Sequence, residues 1–145
     1  MKKNSIESNK YVFMSSFLLP EGMLDFFEIE RIEEEPLPDE AVYRGGILHI
    51  YLDELDNRLP EQGSLRPNGF TEPILINDFP IRDRKVVLHV RRRRWLDTSG
   101  HNVVLNVYDL TTKGTRYSEE FAAFLKERLG YLPSDGTFAG VVLQD

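Results

Sequence analysis

One stretch limits the fold of this chain more than any other: RKVVLHVRRRRWL, residues 84–96. Its first half is rich in valine and leucine and reads as a strand. A strand sends successive side chains to opposite faces. Val86, Leu88 and Val90 therefore share a face with Arg92, Arg94 and Leu96, while Val87 and His89 share the other with Arg91, Arg93 and Trp95. Both faces begin apolar and end cationic. TSGHN then reads as a turn around Gly100 and VVLNVYDL as a returning strand, giving a basic β-hairpin. On this reading the strand leaves the core at Arg91 and projects as a twisted ribbon.

The rest of the chain is arranged around that hairpin. Residues 1–10 are polar and read as a disordered tail. Phe13, Phe17, Leu18 and Leu24 fit short helical pieces, interrupted at Pro20-Glu21-Gly22 because proline disfavours a helical residue before it. FFEIERIEEE alternates as a strand, with Phe27, Ile29 and Arg31 on one face. Gly45-Gly46 marks a turn, ILHIYLDEL a strand, and residues 53–70 a loop. EPILIND is a short strand ended by Asp78-Phe79-Pro80.

SEEFAAFLKERLG is the one clear helix. Ser118 suits its N-cap, Glu119 and Glu120 suit the positive end of its dipole, and Phe121, Phe124, Leu125 and Leu129 form one apolar stripe. Gly130 can close it in the left-handed conformation. The whole predicts an α+β domain over residues 11–132: a mostly antiparallel sheet with a basic hairpin and a C-terminal amphipathic helix. Residues 133–145 are a weakly patterned tail with a final strand at AGVVL.

Several function classes find no support in the residues. The chain of 145 residues is 41% apolar and 29% charged, as a soluble domain is, and has no cysteine. Disulfides and thiolate chemistry are therefore absent, consistent with a cytoplasmic protein. No apolar run is long enough to span a membrane. YVFMSSFLL after Lys2-Lys3 is a poor signal peptide, because two serines interrupt it and no small-residue cleavage site follows. There is no nucleophile elbow, phosphate loop or dinucleotide fingerprint. His49, His89 and His101 lack metal-ligand spacing, although His49 and Asp53 fall on one strand face and His89 and His101 flank the hairpin. Asp53, Glu54 and Asp56 read as solvated loop acids, and no spacing selects a catalytic set. The expectation is a protein that is not an enzyme and holds no cofactor or metal.

Charge is the informative signal. Net charge is -6 overall. Residues 1–80 carry 7 Lys/Arg against 16 Asp/Glu, and residues 81–145 carry 11 against 8. Arg82, Arg84 and Lys85 precede Arg91, Arg92, Arg93 and Arg94, and Asp83 alone opposes them between Ile81 and Leu96. A two-stranded ribbon fits the major groove of DNA, and the arginine fork binds phosphate and guanine edges. Trp95 has two possible roles, stacking on a base or packing in the core. The competing accounts are docking of an acidic protein, and neutralisation by the acidic stretch at residues 28–40. That stretch has seven acids against Arg31.

Four motifs in order carry a resemblance. LLPEGMLDFFEI (Leu18 to Ile29), LINDFPIR (Leu75 to Arg82), RRRRW (Arg91 to Trp95) and GTRYSEEFAAFLK (Gly114 to Lys126) together resemble the N-terminal region of ISAon-type bacterial insertion-sequence transposases, common in Bacteroidetes. In that family the region precedes, or is encoded apart from, a catalytic part with a DDE-type acidic site. The resemblance implies DNA association without independent catalysis, at the terminal repeats of the element. It implies a catalytic transposase subunit as a second partner. Arg91–Arg94 and Trp95 are the contacts it implies, with Arg116 near the helix start. Tyr108 stands where the family pattern has tryptophan.

Overall fold

The computed structural model of the chain describes residues 2–38, 45–111 and 115–133. The α+β class holds, and the strands form two sheets rather than one. The larger contains β1 (Phe27–Glu35), β2 (Ile47–Glu54), β4 (Ile74–Ile81) and β5 (Arg84–Arg91), in the order β1-β2-β5-β4. All neighbours in it are antiparallel except β2 and β5. The smaller contains β3 (Arg66–Phe70), β6 (Arg93–Leu96) and β7 (Asn102–Val103), in the order β3-β6-β7. Helices α1 (Lys2–Ser16), α2 (Met23–Phe26) and α3 (Glu119–Leu129) complete it. The backbone of α1 takes in the polar stretch read as a tail, and the break at Pro20-Glu21-Gly22 separates α1 from α2 as expected. The candidate strand AGVVL and Gly114, the first residue of the GTRYSEEFAAFLK motif, lie outside the described residues.

Alternation decides which face of the large sheet is the core. Ile50 and Leu52 of β2, Val86, Leu88 and Val90 of β5, and Ile76 of β4 are buried together with Leu19, Met23, Phe27 and Leu110. Each such side chain contributes about 1.5–3 kcal/mol by leaving water. The odd-numbered residues of β2 and β5 form the outer face: His49, Tyr51, Asp53, His89 and Arg91. The alternation of β1 is broken by a bulge. Ile29 pairs with Leu52 but Arg31 pairs with Tyr51, so Ile29 faces the core and Arg31 faces out, contrary to their reading as one face.

Two further boundaries shift. β4 does not stop at Asp78-Phe79-Pro80. It passes through a bulge between Asp78 and Ile81 and turns tightly into β5. Arg82 (φ 49°) and Asp83 (φ 64°) make that two-residue turn in the left-handed conformation that such hairpins need. The stretch read as a loop, residues 53–70, contains the end of β2, a 3-10 turn at Pro60–Gln62, and β3.

Helix α3 is bounded as expected, from Ser118 to Gly130, whose φ of 80° closes it. The Ser118 hydroxyl does not cap it, however. It donates to Asp78 Oδ1 at 2.7 Å in a buried contact, while the Ser118 carbonyl accepts from Ala122. Phe121, Ala122 and Leu125 pack with Tyr117 and Phe79 in a second apolar cluster beside β4.

Candidate nucleic-acid interface and its counter-charges

The arginine run does not project. β5 ends at Arg91, Arg92 stands between strands, and β6 begins at Arg93 in the second sheet. The backbone of Arg92 is held by Thr71: its amide donates to Thr71 Oγ1 at 3.1 Å and its carbonyl accepts the Thr71 amide at 2.8 Å. This break resets the alternation, so the four side chains meet four different environments.

Arg91 binds Asp53 with both prongs of its fork, at 2.7 Å each. Those hydrogen bonds hold the Arg91 guanidinium in its charged form, above its ordinary range. Arg92 turns inward. It donates to the carbonyls of Leu105 (3.3 Å) and Tyr108 (2.6 Å) and lies 3.8 Å from Glu54. Arg93 donates through its side chain to the Glu54 carbonyl at 2.8 Å, and its amide donates to Glu54 Oε1 at 2.7 Å. Both Arg91 and Arg93 lie over the ring of Phe70. Arg94 alone of the four is exposed.

Trp95 is 1% exposed and pairs with Pro67 and Val103, with the Arg58 guanidinium 4.4 Å from its ring centroid. Its place is the interior, so the stacking role considered for it has no open ring face. The returning strand is also shorter than expected. Only Asn102 and Val103 pair with β6. Beyond them, the carbonyls of Leu105 and Tyr108 are held by Arg92. The turn before them is as read: Asp97 Oδ1 accepts the amides of Ser99 and His101, and Gly100 has φ 84°.

The counter-charges were in the wrong place in the sequence reading. Arg91 and Arg92 form their ion pairs with Asp53 and Glu54 at the end of β2, and not with the described acids of the stretch at residues 28–40. From that stretch Glu34 reaches one predicted cation, Arg84, at 3.3 Å, while Glu30 and Glu33 bind Arg31. The signal was present in the parity of β2 and β5: Asp53 is in register with Arg91.

The basic residues also fall in separate places. Lys85 and Arg91 are six residues apart on β5, about 20 Å at strand rise, so Arg82, Arg84 and Lys85 lie at the far end from the run. Arg116 is exposed, and its carbonyl accepts the Asn77 amide at 2.7 Å, tying the approach to α3 against β4.

One face collects open cations. In β6, Arg94 and Leu96 point away from the buried Trp95. Leu96 is flanked in register by Arg66 of β3 and Asn102 of β7, and Asn68 bonds Asn102 at 2.5 Å. Arg94 passes over Gly69, where an added Cβ would stand 3.5 Å from its Nη2. Among the described residues no carboxylate pairs with Arg66 or Arg94. Arg66 was missed in the sequence because it fell in a stretch read as loop.

The histidines are rearranged too. His89 is paired with His49. Its Nε2 lies 2.7 Å from His49 Nδ1, and His49 Nε2 lies 2.8 Å from Glu35. Among the described residues no three His, Cys, Asp or Glu side chains are placed to hold a metal ion, and no helix is long and apolar enough to cross a membrane. Comparison with protein-family models, with curated proteins and with solved structures finds no match.

Proposed function

We propose that this chain is a non-catalytic, DNA-associated domain of an insertion-sequence transposase that helps recognise the ends of the element in the cytoplasm. The observation that carries the reading is the free face of the small sheet. Arg66, in register with Leu96, and Arg94, two residues before Leu96, lie on it with Asn68 and Asn102, and among the described residues neither arginine has a carboxylate partner. Arginine forks bind phosphate oxygens, and asparagine offers a donor and an acceptor to base edges or sugars. The four motifs from Leu18 to Lys126 support the transposase context.

On this reading the arginine run has two uses. Arg91, Arg92 and Arg93 join the sheets by binding Asp53, Glu54 and backbone carbonyls. That internal frame holds Arg94 outward. A net charge of -6 gives no long-range attraction for DNA. The contact is local, and full affinity belongs to an assembly with the catalytic subunit.

A second reading, docking onto that subunit, is favoured by α1. Tyr11, Phe13 and Met14 on it and Phe17 just after it are each more than 60% exposed, an apolar surface of the kind that marks a protein contact. One experiment separates the two. Duplexes carrying the terminal repeats are titrated at several salt concentrations with the wild-type chain, an Arg66→Ser/Arg94→Ser variant and a Phe13→Ser/Phe17→Ser variant. Loss of binding in the first variant alone supports DNA contact. Binding that ignores Arg66 and Arg94 sinks it, and loss of co-purification with the catalytic subunit in the second variant then favours docking.

A further inference from the structure

The outer face of the large sheet holds a polar chain that the proposed function does not use. Glu35, His49, His89, Tyr51 and Arg31 touch in sequence. His49 Nε2 lies 2.8 Å from Glu35 Oε1, and His49 Nδ1 lies 2.7 Å from His89 Nε2. The His89 ring stacks on Tyr51 at 4.3 Å between centroids, and the Arg31 guanidinium lies 3.7 Å from the Tyr51 centroid. Arg31 is in turn bonded to Glu30 and Glu33 at 2.7 Å.

Proton counting restricts this chain. The Glu35 carboxylate only accepts, so His49 Nε2 carries a hydrogen. The 2.7 Å gap between the imidazoles then has room for one hydrogen, on His89 Nε2 or on His49 Nδ1. With one added proton the gap still holds a single hydrogen and the pair carries one positive charge beside Glu35. With a second, both facing nitrogens are donors and two like charges adjoin. The contact cannot survive that state.

We propose that these five residues form an acid-released latch, closed while the His49–His89 pair holds one extra proton or none and opened when it holds two, so that His89 leaves Tyr51 while Arg31 stays bound to Glu30 and Glu33. The surroundings favour the closed form. From β1 the pair is faced by Glu30, Arg31, Glu33 and Glu35, from β2 by Tyr51 and Asp53, and from β5 by Arg91. β4 sets the uncharged Leu75 opposite His89. Arg91 is already bound to Asp53, and Arg31 is bound to two glutamates, so among the described residues no carboxylate is bonded to His89. Burial, then the His49 ring, then Arg31 push His89 below its ordinary value of 6.5. Its stabilising neutral form is complete above that value and is lost as the pH falls below it, because the unfolded chain then binds more protons than the folded one.

Imidazole NMR of the full chain, titrated from about pH 8 to about pH 5, tests the latch. The His49–His89 pair is expected to take up its protons in two steps separated by more than about one pH unit. The Tyr51 ring resonances shift with the second step and not the first. In His89→Gln the second step and the acid shift of Tyr51 both disappear. A single shared step in the wild type, or a second step that leaves Tyr51 unmoved, overturns the proposal. So does an acid shift of Tyr51 that persists in His89→Gln. If that variant does not fold, the wild-type titration decides alone.

Discussion

The Arg92 guanidinium lies 3.8 Å from the Glu54 carboxylate, and their side chains are 11% and 1% exposed. Glu54 also accepts the Arg93 amide at 2.7 Å, and Asn57 donates to it at 3.3 Å. Arg92 satisfies two carbonyls of the segment after β7. A buried pair of this kind holds two sheets and a loop in one register. Its removal leaves an uncompensated charge behind, which is far more costly than losing a surface pair.

Arg92→Ala is therefore expected to destabilise the fold by about 3–5 kcal/mol. Arg94→Ala, on the exposed side of the same run, should change stability by less than about 0.5 kcal/mol. Urea unfolding of the two variants checks this. Equal effects at both positions would contradict the division of the run into internal and open arginines.

If the chain binds DNA as proposed, the two open arginines of the small sheet limit the salt dependence of that binding. If Arg66 and Arg94 each neutralise one phosphate, their joint replacement should flatten the slope of log K against log salt by roughly 1.8. Arg91→Ser should leave that slope unchanged, since its fork is bound to Asp53. Titrations at four or more salt concentrations read both values.

Trp95 is the sole tryptophan and reports on its own burial. With 1% of its surface exposed, its emission should be blue-shifted and resist quenching by iodide. DNA should leave both properties as they are. Trp95→Ala should cost about 3–5 kcal/mol, as large core truncations do. Emission that shifts strongly on adding DNA would instead place the ring at the interface.

Asp78 links α3 to β4 and makes stability depend on pH. It is 5% exposed, and burial raises its carboxyl above the ordinary 3.8, with the Ser118 hydroxyl and the Phe79 amide opposing that rise. A raised carboxyl favours folding most below its unfolded value, and that contribution is lost as pH rises through the folded value. Ser118→Ala removes one opposing hydrogen bond. The Asp78 midpoint should rise further, and stability at neutral pH should fall by about 1–3 kcal/mol. Carboxyl NMR and thermal unfolding at two pH values measure the two effects, and an unchanged midpoint would contradict the Ser118 contact.

The element types were mostly legible in the sequence because they rest on local periodicity. The alternation from Val86 to Val90 fixed β5 and its core face. The apolar spacing from Phe121 to Leu129 and the glycine at 130 fixed α3. The strand at Phe27 was visible, but its bulge was not, because the face on which Arg31 lies depends on the partner strand β2.

The destinations of polar side chains were decided only by tertiary structure. Four consecutive arginines look alike in a sequence, since each carries the same charge and alternation gives them two faces at most. In the fold they have separate fates, because Arg92 breaks the strand and turns inward while β6 starts anew in another sheet. Their carboxylate partners, Asp53 and Glu54, are about forty residues away and become neighbours only through the parallel pairing of β2 with β5. The sequence by itself determined that the chain folds around an apolar strand ending in a cationic run. Long-range strand pairing determined which of those cations are enclosed and that Arg94 is the one left open.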